Sequence, residues 1–215
     1  VEKEEEVYLK MILELRKWAQ KNGQTAPLIV YVPRAPEQFA QVGNNLEKAG
    51  LKVSRRSREF SACREGLRSI PRNWSLDIDV FLGDSLGEMY FYLTLSDKVI
   101  VGGGFSARGA HNIIEPLALA KPVFVGPYTW TIEFPFFEAE TAGLAKSYTT
   151  PSHMIEALLE GESETSESLA GFMAEHRGAS KRTLKGIEAV IGASELKSSP
   201  CLASQTIHLD EGPVK

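Results

Sequence analysis

Between Val80 and Glu115 the sequence passes twice from a short apolar run into a glycine-bearing loop and then into a helical pattern. The run Asp79–Leu82 leads into Gly83-Asp84-Ser85-Leu86-Gly87-Glu88. Val99-Ile100-Val101 leads into Gly102-Gly103-Gly104 and on to Asn112-Ile113-Ile114-Glu115-Pro116. Successive junctions of this kind restrict the chain to an α/β arrangement, because parallel strands are joined by helical crossovers that start at the strands' carboxyl ends. Two helix N-termini thereby reach one edge of a sheet, where free backbone N–H groups and helix dipoles favour a phosphate.

The flanking sequence repeats the same alternation. Tyr8, Met11, Ile12, Leu15 and Ala19 recur at helical spacing and stop near Asn22-Gly23. Leu28-Ile29-Val30-Tyr31-Val32 is a continuous apolar run, as in a strand covered on both faces, closed by Pro33-Arg34-Ala35-Pro36. Phe39, Val42, Leu46 and Ala49 mark a helix, and Leu51-Lys52-Val53 a short strand. Beyond the two junctions come a strand over Pro122–Pro127, a helix near Glu133–Ala142, a strand over Leu144–Ser147 and helices near Ser152–Leu159 and Glu164–Ile191. The pattern predicts a Rossmann-like open parallel sheet with helices on both faces, binding its ligand at the carboxyl ends of the strands. The packed domain is expected over residues 1–193, with a mobile or partner-dependent tail over 194–215, where no period is visible.

Charge and cysteine usage narrow the function. A net charge of −4 argues against general nucleic-acid binding. Cys63 and Cys201 have neither metal-type nor disulfide-type spacing, so reduced thiols in a cytosolic setting are expected. No apolar run approaches the length of a membrane span, and no signal peptide opens the chain. The first residues are a charged helix without an initiator Met, so the chain reads as a piece of something longer. Between Ser54 and Asp77 stand Arg55, Arg56, Arg58, Arg64, Arg68 and Arg72; a solvated loop and an anion- or membrane-facing patch fit them equally.

Each candidate residue has a plain structural role beside a functional one. Gly87 would let a phosphate or base come close, Ser85 would cap a helix starting near Leu86, and Glu88 would sit in its first turn. On spacing alone a simple capped junction explains these residues better than a ligand does. Gly102-Gly103-Gly104 is not the dinucleotide fingerprint, so no nicotinamide cofactor is indicated. Pro116 fits the first turn of a helix, which puts the helix start near Asn112 and Glu115 one turn on. There the Glu115 carboxylate could accept both ribose hydroxyls or merely offset the dipole. His111 could donate to a phosphate or a sugar acid, or be an ordinary loop histidine. Arg34 could pair with phosphate or base, although most arginines are simply exposed.

Taken together, these segments resemble the C-terminal half of the bacterial 3-deoxy-D-manno-octulosonic acid (Kdo) transferases. The likeness covers roughly Leu28–Ser147. It is carried by collinear motifs: Val32 to Glu37, Arg55-Arg56-Ser57, Gly83 to Glu88, Gly102-Gly103, His111 to Pro116, Lys121-Pro122-Val123 and Gly126-Pro127-Tyr128-Thr129. The resemblance implies one half of a two-domain GT-B-type glycosyltransferase that binds CMP-Kdo. Pro33 and Arg34 would then contact cytidine or phosphate. Ser85, Leu86, Gly87 and Glu88 would line the nucleotide, and His111, Asn112, Ile113, Ile114 and Glu115 would hold phosphate and ribose. The implied reaction is an inverting transfer of Kdo to a lipid A precursor at the cytoplasmic face of the inner membrane, in lipopolysaccharide biosynthesis. It needs no metal and no cofactor, and its general base belongs to the N-terminal half, so no catalytic residue is assigned in this chain.

This chain departs from the family's usual wording. It reads Gly109-Ala110-His111-Asn112-Ile113-Ile114-Glu115 for Gly-Gly-His-Asn-Pro-Leu-Glu, has Ser85-Leu86 for Thr-Met, and Tyr128-Thr129-Trp130-Thr131 for His-Thr-Phe-Asn. The glycines, the cap and the carboxylate are kept. Two other readings use the same sheet: a transferase of a UDP-activated sugar, and a non-catalytic nucleotide-binding module.

Overall fold

The computed structural model describes residues 4–59, 77–159, 171–172 and 178–191. The elements in chain order are α1 (Glu5–Lys21), β1 (Ile29–Tyr31), α2 (Phe39–Lys48), β2 (Val53–Arg55), α3 (Arg56–Glu59), β3 (Val80–Leu82), α4 (Met89–Leu95), β4 (Val99–Val101), α5 (Ile114–Ala118), β5 (Val123–Val125), α6 (Glu133–Thr141), β6 (Ala145–Ser147), α7 (Pro151–Leu159) and α8 (Ala179–Ile191). Every strand pairing among the described residues is parallel, as the alternation predicts. The strands form two three-stranded sheets, in the orders β1-β3-β2 and β4-β5-β6. The two glycine-bearing junctions therefore follow strands of different sheets.

Helices cover both faces of each sheet, and side-chain alternation decides which face a residue joins. In β3, Val80 and Leu82 pack with Ile12, Val42 and Leu46 on the α1/α2 side, while Phe81 packs with Tyr92 on the α4 side. In β5, Val123 and Val125 join Ile113, Leu117, Ile132 and Phe136 from the α5 and α6 side. Phe124 faces the other way, toward Met11, Leu15, Met154 and Ile155. α1 thus contributes to the cores of both sheets, through Ile12 to one and through Met11 and Leu15 to the other. At about 25 cal/mol per Å² of apolar surface removed from water, these four clusters supply the main driving force for folding.

β3 and β5 are buried at all three positions, whereas all three residues of β1 are only partly buried. The fully covered strand expected at Leu28–Val32 is therefore covered only in part. Of the arginine-rich segment, Arg64, Arg68 and Arg72 lie outside the described residues. Arg55 and Arg56 each pair with a carboxylate of the chain itself: Arg55 is buried against Glu47 and Asn44 at 3.0 Å each, and Arg56 pairs with Glu88 at 2.7 Å. Cys63, Cys201 and the tail at 194–215 also lie outside the described residues. The chain divides into two compact units, Val1–Met173 and Ala174–Lys215. In the second, the later part of the helix expected over Glu164–Ile191 forms α8. No described helix is long and apolar enough to cross a membrane.

Candidate functional site

The predicted residues gather at the carboxyl ends of the strands, in two clusters. The first joins loops that are 77 residues apart in sequence. Arg34, just after β1, places Nη1 3.0 Å from His111 Nδ1 and 3.3 Å from Nε2, in the loop between β4 and α5. This contact brings the carboxyl ends of both sheets to one edge. Arginine is a donor only, so the imidazole is the acceptor and must be neutral. Burial, and then the positive charge of Arg34, push the His111 pKa below its ordinary value, which agrees with that role. Arg34 is exposed and Pro33 beside it is buried.

The second cluster surrounds Glu88. Its carboxylate accepts hydrogen bonds from Arg56 at 2.7 Å and from Ser85, and the Tyr92 hydroxyl meets both Ser85 and Glu88. Burial would raise the Glu88 pKa, but the hydrogen bonds from Ser85 and Arg56 and the charge of Arg56 outweigh it and hold the carboxyl below its usual range. Burial in turn raises the Tyr92 pKa. Ser85 is not a helix cap: α4 starts at Met89, its N-cap is Glu88, and no side chain caps it. Leu86 and Gly87 are exposed beside this network. Gly87 has φ +78° and open space around its α-carbon, so backbone conformation requires a glycine there and a ligand has room to approach. Gly83, by contrast, is small because Tyr92 and Val32 pack against it.

The segment after β4 differs most from its sequence reading. α5 is only five residues long, from Ile114 to Ala118, and its dipole is correspondingly small. Asn112 Oδ1 accepts the Ile114 N–H at 2.9 Å, but Asn112 stands one residue ahead of the N-cap, Ile113, and no side chain caps α5 there. Glu115 lies in the first turn. The Ile113 side chain is buried in the β4–β5–β6 core, leaving only its backbone for a ligand, while Ile114 is exposed. The amides of Gly103 and Phe105 already bind an anion, the buried Glu4 carboxylate, at 2.9 and 2.7 Å. Gly104 and Gly126 touch backbone to backbone, and Gly103 lies against Gly109. The triple glycine therefore serves loop packing and a carboxylate from α1's first residues. Nothing local marks Glu4 as a member of this edge, and Arg56, named in the Arg55-Arg56-Ser57 motif, gains its role beside Glu88 only from its position in three dimensions.

Among the described residues no group of three His, Cys, Asp or Glu could hold a metal ion. An open hollow of about 420 Å³ lined by Glu14, Trp18, Ser152, Ile155, Glu156 and Leu159 shares no residue with these clusters.

No protein-family model matches the chain. It is 35% identical over 180 residues to a 3-deoxy-D-manno-octulosonic acid transferase of Bordetella pertussis, covering 81% of this chain and 40% of the relative. To the protein of the same name from Haemophilus influenzae it is 34% identical over 165 residues, 73% of this chain and 36% of the relative. The chain thus spans about two fifths of the length of the curated relatives it matches. Its fold is similar to the C-terminal CMP-Kdo binding domain of WaaA from Acinetobacter baumannii, with a TM-score of 0.56 and 24% identity over 70% of this chain and 71% of that one.

Proposed function

We infer, from the premise that this chain belongs to the 3-deoxy-D-manno-octulosonic acid transferase family, that it is the donor-binding half of such an enzyme. The donor is CMP-Kdo, and the complete enzyme passes Kdo, with inversion, to a lipid A precursor at the cytoplasmic face of the inner membrane. The observation that carries this reading is the meeting of Arg34 and His111. Two of the motifs that mark the resemblance converge at the edge where an α/β sheet binds its ligand.

In this reading Arg34 answers the phosphate. It is an exposed guanidinium with one N–H on a neutral imidazole, and its other donors suit an anion. As the bond to the sugar breaks, negative charge grows on the CMP phosphate, and a cation already in place stabilises that charge more than the ground state. His111, held neutral, aims the guanidinium without adding a second proton. Glu115 accepts the ribose hydroxyls. Leu86 and Gly87 give the nucleotide an exposed surface, beside a Glu88 that stays ionised. The general base comes from the other half of the enzyme, so this chain alone turns over no substrate.

Calorimetric titration of the chain with CMP and with UDP tests the donor. CMP is expected to bind measurably and UDP poorly; a preference for UDP would remove the CMP-Kdo reading in favour of a UDP-sugar transferase. Glu115→Ala should weaken CMP by about 1.5–3 kcal/mol, one charge-assisted hydrogen bond. An unchanged affinity would show that the ribose lies elsewhere.

A further inference from the structure

The loop after β5 is fastened to the loop that carries His111. The Tyr128 N–H donates to Gly104 O at 2.9 Å, and the Ala110 N–H to Tyr128 O at 2.8 Å. The Thr131 hydroxyl donates to Ala110 O, and Gly126 lies backbone to backbone on Gly104. A wall pinned through its backbone holds its side chains at fixed positions. What this wall presents is aromatic. Tyr128 and Trp130 are both exposed, Trp130 by 58%, and the Trp130 ring lies against Gly109, 3.1 Å from where a Cβ would stand. Single exposed aromatics need no explanation. Two of them on a pinned loop, at the edge where α/β sheets bind ligands, offer flat faces that pack on an apolar ring face.

The turn that Trp130 packs on carries a cation without a counter-charge. Ser106–Gly109 is a tight turn, closed by the Gly109 N–H on Ser106 O at 3.0 Å, and Arg108 stands exposed at its tip. The Ser106 hydroxyl accepts the Arg108 N–H at 3.3 Å. Arg16, Arg55 and Arg56 are each committed to a carboxylate of the chain. Among the described residues no carboxylate pairs with Arg108, and none with Arg34. A guanidinium of this kind is a fork for a carboxylate or a phosphate.

Order along the edge separates the two arginines. β1 pairs with β3, Arg34 after β1 meets His111 after β4, and β4 pairs with β5. The loops therefore follow one another as β3, β1, β4, β5. The nucleotide contacts inferred for Leu86, Gly87, Arg34 and Glu115 use the first three. The loop after β5 lies one strand spacing farther on, about 4.8 Å. A sugar ring joined directly to the phosphate spans that step. In a 2-ulosonic acid the carboxylate sits on the same carbon as the bond to phosphate. Its partner must then come from the phosphate's own loop, as Arg108 does, three residues before His111.

We propose that Arg108, Tyr128 and Trp130 form the subsite for the donor's sugar. The Trp130 face packs on the sugar ring with Tyr128 beside it, and Arg108 takes the sugar's carboxylate. The assignment rests on the reading of CMP-Kdo as donor, and it adds a selection that the nucleotide contacts do not make. A neutral sugar would leave the guanidinium without a counter-charge, so the subsite favours an acid sugar whatever base the nucleotide carries.

Calorimetric titration of the chain with three ligands tests this. They are CMP, a hydrolysis-resistant CMP-Kdo with a methylene in place of the glycosidic oxygen, and the carboxamide of that analogue. Arg108→Gln should weaken the CMP-Kdo analogue about 10–100-fold and leave CMP within about twofold. The carboxamide should bind the unaltered chain correspondingly weakly, and Arg108→Gln should weaken it no further. Trp130→Ala should weaken both sugar-bearing ligands about 3–10-fold and spare CMP, and Trp130→Phe should restore most of the loss. Thermal melts check that each variant is folded; if Trp130→Ala is not, Arg108→Gln and Trp130→Phe decide. Equal weakening of CMP and the analogue by Arg108→Gln would make Arg108 a phosphate contact and overturn the proposal. So would variants that bind the analogue as the unaltered chain does. Either result with CMP still bound sinks this inference alone. Failure of the unaltered chain to bind CMP sinks the donor reading, and the subsite with it.

Discussion

The two halves of the molecule hold their carboxyl-edge loops by opposite means. After β3 the loop is held by side chains: Glu88 is gripped by Arg56 and Ser85, with Tyr92 behind them. After β4 it is held by the absence of side chains, with Gly104 on Gly126, Gly103 on Gly109, and one carboxylate, Glu4, closing the turn. A side-chain network can be trimmed one bond at a time. A backbone contact has nothing to trim, and any added atom displaces a strand end.

This difference predicts an order of mutational effects. Gly103→Ala should be the most damaging, because its φ of +95° disfavours an L side chain and its Cβ would meet the Gly109 carbonyl. We expect about 2–5 kcal/mol of lost stability in a denaturant titration. Gly87→Ala has a similar φ and nothing in its way, so it should lose only the conformational part, about 1–2 kcal/mol. Equal losses would mean that close packing does not hold the β4 loop. Between these two, Glu4→Ala strips the anion from two amides and should cost about 2–3 kcal/mol. A neutral result would mean that water or another group replaces the carboxylate.

On the β3 side, Arg56→Gln and Glu88→Gln should each be milder. Their double-mutant cycle should return a coupling of about 1 kcal/mol. Additive losses would separate Glu88 from the arginine that is said to hold it. The smallest effect is the pH dependence of His111. Unfolded, its imidazole protonates near the ordinary pKa of about 6.5; folded, it resists until lower pH. The unfolded state therefore binds more protons in that window, so stability is complete above about pH 6.5 and declines as pH falls toward the folded value. His111→Gln should flatten that slope. An NMR titration placing His111 at or above its ordinary value would break the Arg34 contact as described.

Much of the fold was legible in the sequence because burial imposes period. Val99–Val101 was predicted as the strand it is, and the helix beginning at Glu133 starts at the expected residue. The site was legible only as a set of loops. Nothing local in Arg56 distinguishes it from Arg58, yet one pairs with Glu88 because β2 lies beside β3. Ser85 has the look of a cap, but its hydroxyl is drawn to Glu88 and Tyr92, and α4 starts later than spacing suggests. Ile113 sits among the candidate ligand contacts by position, and its side chain is in the core.

By itself, then, the sequence determined the alternation of strand and helix, the parallel class of sheet, and the edge at which the candidate residues gather. All three follow from local period and from the crossover rule, which need no knowledge of neighbours. Only the tertiary structure decided which glycines make room for backbone and which stand in open space, which arginine is a brace, and that Glu4 already fills the amide cradle after β4. Those outcomes depend on pairs of residues far apart in the chain, and distance in space is not a property that a single position carries.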